Sequence, residues 1–411
     1  MADTMLDFSK LYGNDLPEPA PRWSPFPKYY FVGGNNDPEQ IPIEGLIKAA
    51  ASVLRRDGRQ LAIYNLGLGP QGYPGLREFV AKKAHEHRGM KVPVDDVTIV
   101  TGSGQGIDMI SKLFVNAGDT VLVEEFCYQG ALNRFRKIGA KLVGMKLDAD
   151  GIVIDALAAQ LTELKSKGIT PKFIYTIPTI QNPTATILPL NRRHSLLELA
   201  RRYNIAIFED ECYADLLWKG IEAPPALYAL DPGSVIHLGS FSKSLAPALR
   251  LGYIVAPWEI TRRLLPLKGD SGTGALDQMI VAEYFSESFK SHVTHLNGVL
   301  QSKLNAMVEA VEREFGSAVE CWMPKGGIFL WIKLPDGIDV RKLVQPALQA
   351  GIQFNPGPDW AVSPDISKSH LRLCFAMPDE STIREGVAAF AKVCYDVTGI
   401  PKQSGNVRRA S

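Results

Sequence analysis

A lysine stands in the run Ser240-Phe241-Ser242-Lys243-Ser244-Leu245-Ala246-Pro247-Ala248-Leu249-Arg250, directly after the apolar stretch Val235 to Leu238. An amine at a strand's end, flanked by hydroxyls and followed seven positions on by a guanidinium, can attack a carbonyl carbon once its proton is displaced. Alone, a Ser-Lys dipeptide reads as a solvated loop. Here it has company. Asp210-Glu211-Cys212-Tyr213 follows the apolar run Ile205 to Phe208, and Gln181-Asn182-Pro183-Thr184 follows Phe173 to Ile177. Polar residues thus gather at the carboxyl ends of three successive strands, the edge where open α/β sheets bind ligands. The segment Thr101-Gly102-Ser103-Gly104-Gln105-Gly106 adds a small-residue turn whose amides would point from a helix N-terminus towards an anion.

That turn invites a rival reading as a dinucleotide site. Gly102 and Gly104 begin the G-x-G-x-x-G pattern and Glu124 supplies an acidic residue farther on, but position 107 is Ile107. The rival also leaves Lys243, Arg250, Asn182 and Asp210 without a task.

The elements that must position these residues alternate. Helices are expected near residues 42–55 and 75–88, then a strand from Val97 to Val100, then a helix with Ile107, Ile110, Leu113 and Phe114 at helical spacing. The runs Thr120 to Val123, Lys141 to Met145, Phe173 to Ile177, Ile205 to Phe208, Val235 to Leu238 and Tyr253 to Val255 are separated by helical stretches. This is the pattern of a mostly parallel sheet with crossover helices. A long helical region from about 275 to Phe315, strands at Ile328 to Ile332 and His370 to Phe375, and helices near 340–350 and from Glu380 predict a smaller α+β unit. The fold class is therefore α/β, with a proline-rich extended arm at 1–45 belonging to the small domain. A large domain follows at 46–290, a C-terminal small domain at 291–401 and a frayed basic tail at 402–411.

Composition sets the outer limits. The 411 residues, 45% hydrophobic and 22% charged, suit two folded domains rather than a disordered or fibrous chain. With 45 Lys+Arg against 44 Asp+Glu there is no basic field for nucleic acid. No uncharged apolar run approaches the roughly 18 to 20 residues of a membrane helix, and the amino terminus lacks a secretory pattern. The scattered Cys127, Cys212, Cys321, Cys374 and Cys394 fit neither a disulfide framework nor a metal site, and point to a reducing cytoplasm. In His85-Glu86-His87 the two imidazoles sit at i and i+2 of a helix and point apart, so no metal is expected there.

The set formed by the Gly102-Ser103 turn, Tyr128, Asn182-Pro183, Asp210-x-x-Tyr213, Ser-x-Ser-Lys243 with Arg250, and a late Arg372 resembles the fold type I pyridoxal-phosphate enzymes. Within these it resembles the class I/II aminotransferases, most closely the kynurenine/α-aminoadipate aminotransferase branch, from Gly33-Gly34 to about Ala376. The resemblance implies that Lys243 holds pyridoxal 5'-phosphate covalently and later shuttles a proton. Asp210 would face the ring nitrogen, Tyr213 and Asn182 the ring oxygen, and Tyr128 would stack on the ring. The phosphate would be held by Ser103, Gly104, Gln105, Ser240, Ser242 and Arg250. Arg372 would grip the substrate carboxylate as a two-point fork, beside Asn182 and Gly34.

Two departures stand out. The family's Asn-Pro-Thr-Gly is Asn182-Pro183-Thr184-Ala185 here, without glycine's freedom at positive φ. Tyr64 resembles the tyrosine that reaches the neighbouring subunit's phosphate, yet it stands about three residues farther from Gly72 than the family pattern.

The activity implied is amino-group exchange between an L-amino acid and a 2-oxo acid, with glutamate and 2-oxoglutarate as one pair, by a ping-pong mechanism in a homodimer. A lyase of the same fold is the main alternative. A regulator's sensor domain is disfavoured because only a short proline-rich arm precedes the fold. In that arm, Arg22 and Lys28 are candidate cations for a distal substrate carboxylate, and Trp23, Phe26, Tyr29 and Tyr30 suit apolar side chains.

Overall fold

The computed structural model describes residues 6–13, 16 and 19–401; the tail expected at 402–411 and Pro17 of the arm lie outside the described residues. Helices α1 (Ile43–Asp57) and α2 (Pro74–Arg88) lead into the first sheet strand, β1 (Val97–Thr101), and helix α3 (Gly102–Phe114). Then come β2 (Thr120–Glu124), α4 (Gln129–Lys137), β3 (Lys141–Met145), β4 (Phe173–Thr176), α5 (Leu190–Tyr203) and β5 (Ala206–Asp210). β6 (Val235–Ser240) and β7 (Leu251–Val255) complete a seven-stranded sheet of order β1-β7-β6-β5-β4-β2-β3. β7 runs antiparallel to both of its neighbours, while β6, β5, β4, β2 and β3 pair in parallel.

Alternation along each strand sends side chains into two layers. Ile99, Leu122, Ile174 and Ile207 pack with Leu76, Val80 and Leu196 on one face, whereas Val100, Val121, Tyr175 and Phe208 pack with Ile107, Leu132 and Phe135 on the other. Strands covered on both faces have no solvated side, which is why they read as unbroken apolar runs. The expected strand Ile205 to Phe208 is displaced: β5 continues to Asp210, so that carboxylate is the strand's last residue rather than part of the loop after it.

Helix α6 (Ala275–Phe315) is one continuous element of 41 residues. Its Val281, Phe285 and Phe289 belong to the core beneath the large sheet, while Leu296, Leu300 and Leu304 belong to the core of the C-terminal unit. The division expected at 290 therefore falls inside a helix, at the point where its side chains change core. The C-terminal unit is a four-stranded sheet in which β8 (Phe329–Lys333) pairs antiparallel with β9 (His370–Cys374). Its closing helix α7 (Glu380–Thr398) starts on Asp379, whose carboxylate accepts the Thr382 N–H at 2.7 Å.

The end of the arm is more than an extended strap. Tyr29–Tyr30 pairs in parallel with Ile352–Gln353, Phe31 is fully buried, and the Cys374 N–H donates to the Phe31 carbonyl at 2.9 Å. This pairing carries Gly33 and Gly34 to the mouth of the large sheet.

Candidate functional site

Lys243 lies three residues beyond β6, and its amine donates to the Gly34 carbonyl at 2.8 Å. A Cβ on Gly34 would stand 2.0 Å from that Nζ, so a larger residue there would push the amine from its present place. Burial pushes the amine below the usual lysine range. The Cys374 and Cys212 thiols oppose that shift, and the Arg372 and Arg250 guanidiniums add to it. A neutral amine is the nucleophilic form.

Asp210 is 3% exposed. Its Oδ2 accepts the Tyr175 hydroxyl at 2.7 Å, while Oδ1 is buried and has no hydrogen-bond partner among the described residues. Burial raises its pKa, and the Cys212 thiol and Tyr175 hydroxyl pull it back down. Cys212 sits between this carboxylate and Ser103 and is held well above the usual thiol range by burial.

Asn182 joins two of the other expected residues. Its Nδ2 donates to the Tyr213 hydroxyl at 3.1 Å, and its Oδ1 accepts from Arg372 Nη1 at 2.8 Å. Arg372 Nη2 reaches the Gly33 carbonyl at 3.4 Å, and its Nε is buried without a partner among the described residues. The guanidinium lies 3.7 Å over the Trp360 ring, which fixes its plane. Trp360 also stands 6.2 Å from Tyr128, and its carbonyl accepts the Cys127 N–H at 2.8 Å. Ala185 adopts φ +58° without being glycine. The turn keeps the left-handed form expected of the family's glycine, at a strain of roughly 1 to 2 kcal/mol.

The anion end is built on α3. Gly102 has φ +72°, and a Cβ there would stand 2.2 Å from Arg250 Nη2, so the guanidinium lies against the first turn of the helix. Ser240 Oγ accepts the Ser242 N–H at 3.1 Å. Both serines are buried. Gly104 faces Arg134. The Gln105 side chain turns elsewhere: its Oε1 accepts the Thr101 N–H at 2.8 Å and its Nε2 donates to Asp270 at 2.7 Å, leaving only its backbone for an anion.

Two expected residues stand apart within this chain. Tyr64 is 85% exposed and is not gathered with the others. Lys28 is paired with Glu385 on α7 at 3.1 Å, at an exposed position. Conversely, Tyr175, Trp360 and Cys212 belong to the site and were not singled out as site residues from sequence. Tyr175 was visible only as part of an apolar strand, and Trp360 lies in a turn without a motif.

The donor set fits pyridoxal phosphate. Among the described residues a buried carboxylate oxygen has no partner, the same Cys212 thiol acts on this carboxylate and on an amine with lowered pKa, and a helix N-terminus is flanked by an arginine and two serines. Among the described residues no helix is long and apolar enough to cross a membrane.

The model of the class I and II aminotransferase family matches residues 32–390. The chain is 35% identical over 364 residues to a 2-aminoadipate transaminase of Thermus thermophilus, covering 87% of each protein. It is 33% identical to aromatic-amino-acid aminotransferase 1 of Thermococcus litoralis, covering 88% of this chain and 86% of that protein. The crystal structure of an alpha-aminoadipate aminotransferase from Thermus thermophilus, complexed with N-(5'-phosphopyridoxyl)-L-leucine, superposes with TM-score 0.82 at 34% identity, covering 90% of this chain and 93% of that one.

Proposed function

This chain belongs to the class I and II aminotransferases, in the kynurenine/α-aminoadipate branch, and on that premise we propose that glutamate and 2-oxoglutarate form one of its substrate pairs, used by a ping-pong mechanism. It is a pyridoxal-phosphate-dependent transaminase of fold type I. The observation that carries the finer reading is the Arg372–Asn182–Tyr213 chain lying beside Lys243 and Asp210. A single carboxylate grip beside a single amine suits two substrates taken in turn.

In this reading the Arg372 fork and Asn182 bind the α-carboxylate shared by amino acid and oxo acid, and Trp360 holds the fork flat. Lys243 Nζ, whose burial favours the neutral form, removes the proton from the substrate's α-carbon and later returns one. Pyridoxal phosphate, when bound, supplies an electron sink for the carbon that loses this proton. Asp210 Oδ1 would take the ring nitrogen's proton as its missing partner. Tyr213 and Asn182 would hold the ring oxygen, and Tyr128 would cover the ring face. Ser103, Gly104, Ser240, Ser242 and Arg250 would hold the phosphate, with Gln105 contributing its backbone alone. Gly34 gives the substrate room beside the amine.

The same reading makes the protein a cytoplasmic homodimer in which Tyr64 is offered across the interface. The exposed apolar Ile43, Ile47 and Leu54 of α1, and Ile63 next to Tyr64 in the chain, are surface that a second subunit would cover. The decisive experiment mixes the cofactor-loaded protein with one amino acid at a time and follows the cofactor's visible spectrum without any oxo acid. Conversion by glutamate, reversed on adding 2-oxoglutarate, is expected. A spectrum indifferent to glutamate at millimolar concentration would overturn the pair, and one that changes only when both substrates are present would overturn the ping-pong order.

A further inference from the structure

Behind the Asn182–Tyr213 pair lies a second group of charges. Alternation along β5 turns Glu209 and Glu211 away from Asp210, to the opposite face. There Arg88, the last residue of α2, is 5% exposed and uses one nitrogen twice: Nη2 donates to Glu211 Oε1 at 3.0 Å and to the Thr179 hydroxyl at 3.0 Å. Thr179 donates to the same Glu211 oxygen at 2.7 Å and accepts from Arg193 at 2.8 Å. Glu211 is the residue after Asp210 and two before Tyr213, and Thr179 is three before Asn182. Arg88, with Arg193 beside it at 3.8 Å from Glu211, therefore ties together the ends of β4 and β5, the two strands whose loops carry the Asn182–Tyr213 contact.

The same helix takes a second hold on this segment. Lys83 Nζ meets Asp215 Oδ1 at 2.9 Å, so Tyr213 is gripped from α2 on both sides along the chain. Buried ion pairs are poor sources of net stability, since desolvation consumes most of their attraction. Their best-attested use is to fix register between elements. We propose that Arg88 is a positioning residue which, through Thr179 and Glu211, sets the spacing of Asn182 and Tyr213 and so their grip on the cofactor's ring oxygen. This rests on the reading that those two side chains hold that oxygen.

The test uses full-length Thr179→Val, Arg88→Lys and the double variant Arg88→Met/Glu211→Gln. The double variant removes one charge of each sign and leaves Arg193 paired with Glu209 at 4.0 Å, so the cluster stays neutral if Arg88→Met alone fails to fold. Three quantities are measured: the pH at which the visible band of the bound cofactor changes, kcat against KM, and the affinity of the cofactor-free protein for inorganic phosphate. The band's midpoint is expected to move by about half a pH unit or more, and kcat to fall about tenfold with KM within about twofold. Phosphate affinity should stay within about twofold, because the α3 cradle is untouched. Variants that melt earlier but keep the wild-type midpoint and kcat would make Arg88 merely structural and overturn the proposal. Asn182→Ala and Tyr213→Phe serve as the reference. If they move the midpoint while the Arg88 and Thr179 variants do not, only the positioning role fails. If neither moves it, the ring-oxygen reading fails and the proposal falls with it.

Discussion

Replacing Tyr175 by phenylalanine removes one hydroxyl and nothing else from the core, which isolates its bond to Asp210. The hydroxyl donates to Oδ2 at 2.7 Å, with Tyr175 fully buried and Asp210 3% exposed. A hydrogen bond to an ionised group contributes about 1.5 to 3 kcal/mol, because losing it leaves the charge desolvated and unanswered. Because the protonated carboxyl would lose a neutral hydrogen bond as well, only the difference between the two losses shifts the pKa, and it moves Asp210 further upward from its already raised position. The sign of the pH effect follows. A carboxyl whose folded pKa is raised favours folding below its unfolded pKa, and that contribution is lost as pH rises through the folded value. The Tyr175→Phe deficit should therefore grow as pH rises and Asp210 ionises. It should shrink towards that of a neutral hydrogen bond, about 1 kcal/mol, as acid protonates the carboxyl. Urea unfolding of the cofactor-free protein, followed by tryptophan fluorescence at pH 8 and at the lowest pH where both proteins stay folded, measures this difference. A deficit below about 0.5 kcal/mol at pH 8, or one that does not change with pH, would refute the argument that Tyr175 stabilises the charged carboxylate.

Lys243→Ala should abolish the cofactor adduct fixed by borohydride; peptide mapping that finds the adduct on another lysine would displace Lys243 from its role. Asp210→Asn should still bind cofactor but raise the barrier to α-proton removal by about 4 kcal/mol, close to a thousandfold in rate, since a neutral amide cannot hold the ring nitrogen's proton. Single-turnover rates near wild type would remove Asp210 from that task. Arg372→Lys should raise KM for amino donor and oxo acid alike by about tenfold or more, because a point-charge ammonium replaces neither the fork nor its stacking on Trp360. Unchanged KM for both would mean that another group binds the carboxylate.

Much of the fold was legible because its signals are local. Lys141 to Met145 matches β3 residue for residue, and the helical region expected from about 275 to Phe315 is one helix of 41 residues. Such short-range patterns are carried by neighbouring residues themselves, whereas the continuity of the helix through residue 290, where a domain boundary was expected, was not. The chemistry-bearing residues were legible for a related reason: Lys243, Asp210 and Asn182 sit at strand ends, in short motifs of polar residues that apolar runs set off. Boundaries were less so. Asp210 closes β5 because the ladder with β6 continues through Leu238, a pairing partner that no local pattern names.

What only the tertiary structure decided lies at long range. Asn182 meets Arg372 across 190 positions, Arg88 meets Glu211 across 123, and Lys243 meets Gly34 across 209. Tyr175 becomes the partner of Asp210 through the lateral pairing of β4 with β5, which places Tyr175 against Phe208 and leaves Asp210 within reach. Trp360 becomes the platform of Arg372 because its turn folds back onto the Phe126–Tyr128 segment. Lys28 shows the reverse case, since nothing near it in sequence indicates its pairing with Glu385. The sequence by itself determined the elements and the reacting residue types, because propensity, period and motif act over a few residues. The partners of those residues were decided by packing, because a buried polar group takes whichever donor or acceptor the folded layers bring within about 3 Å.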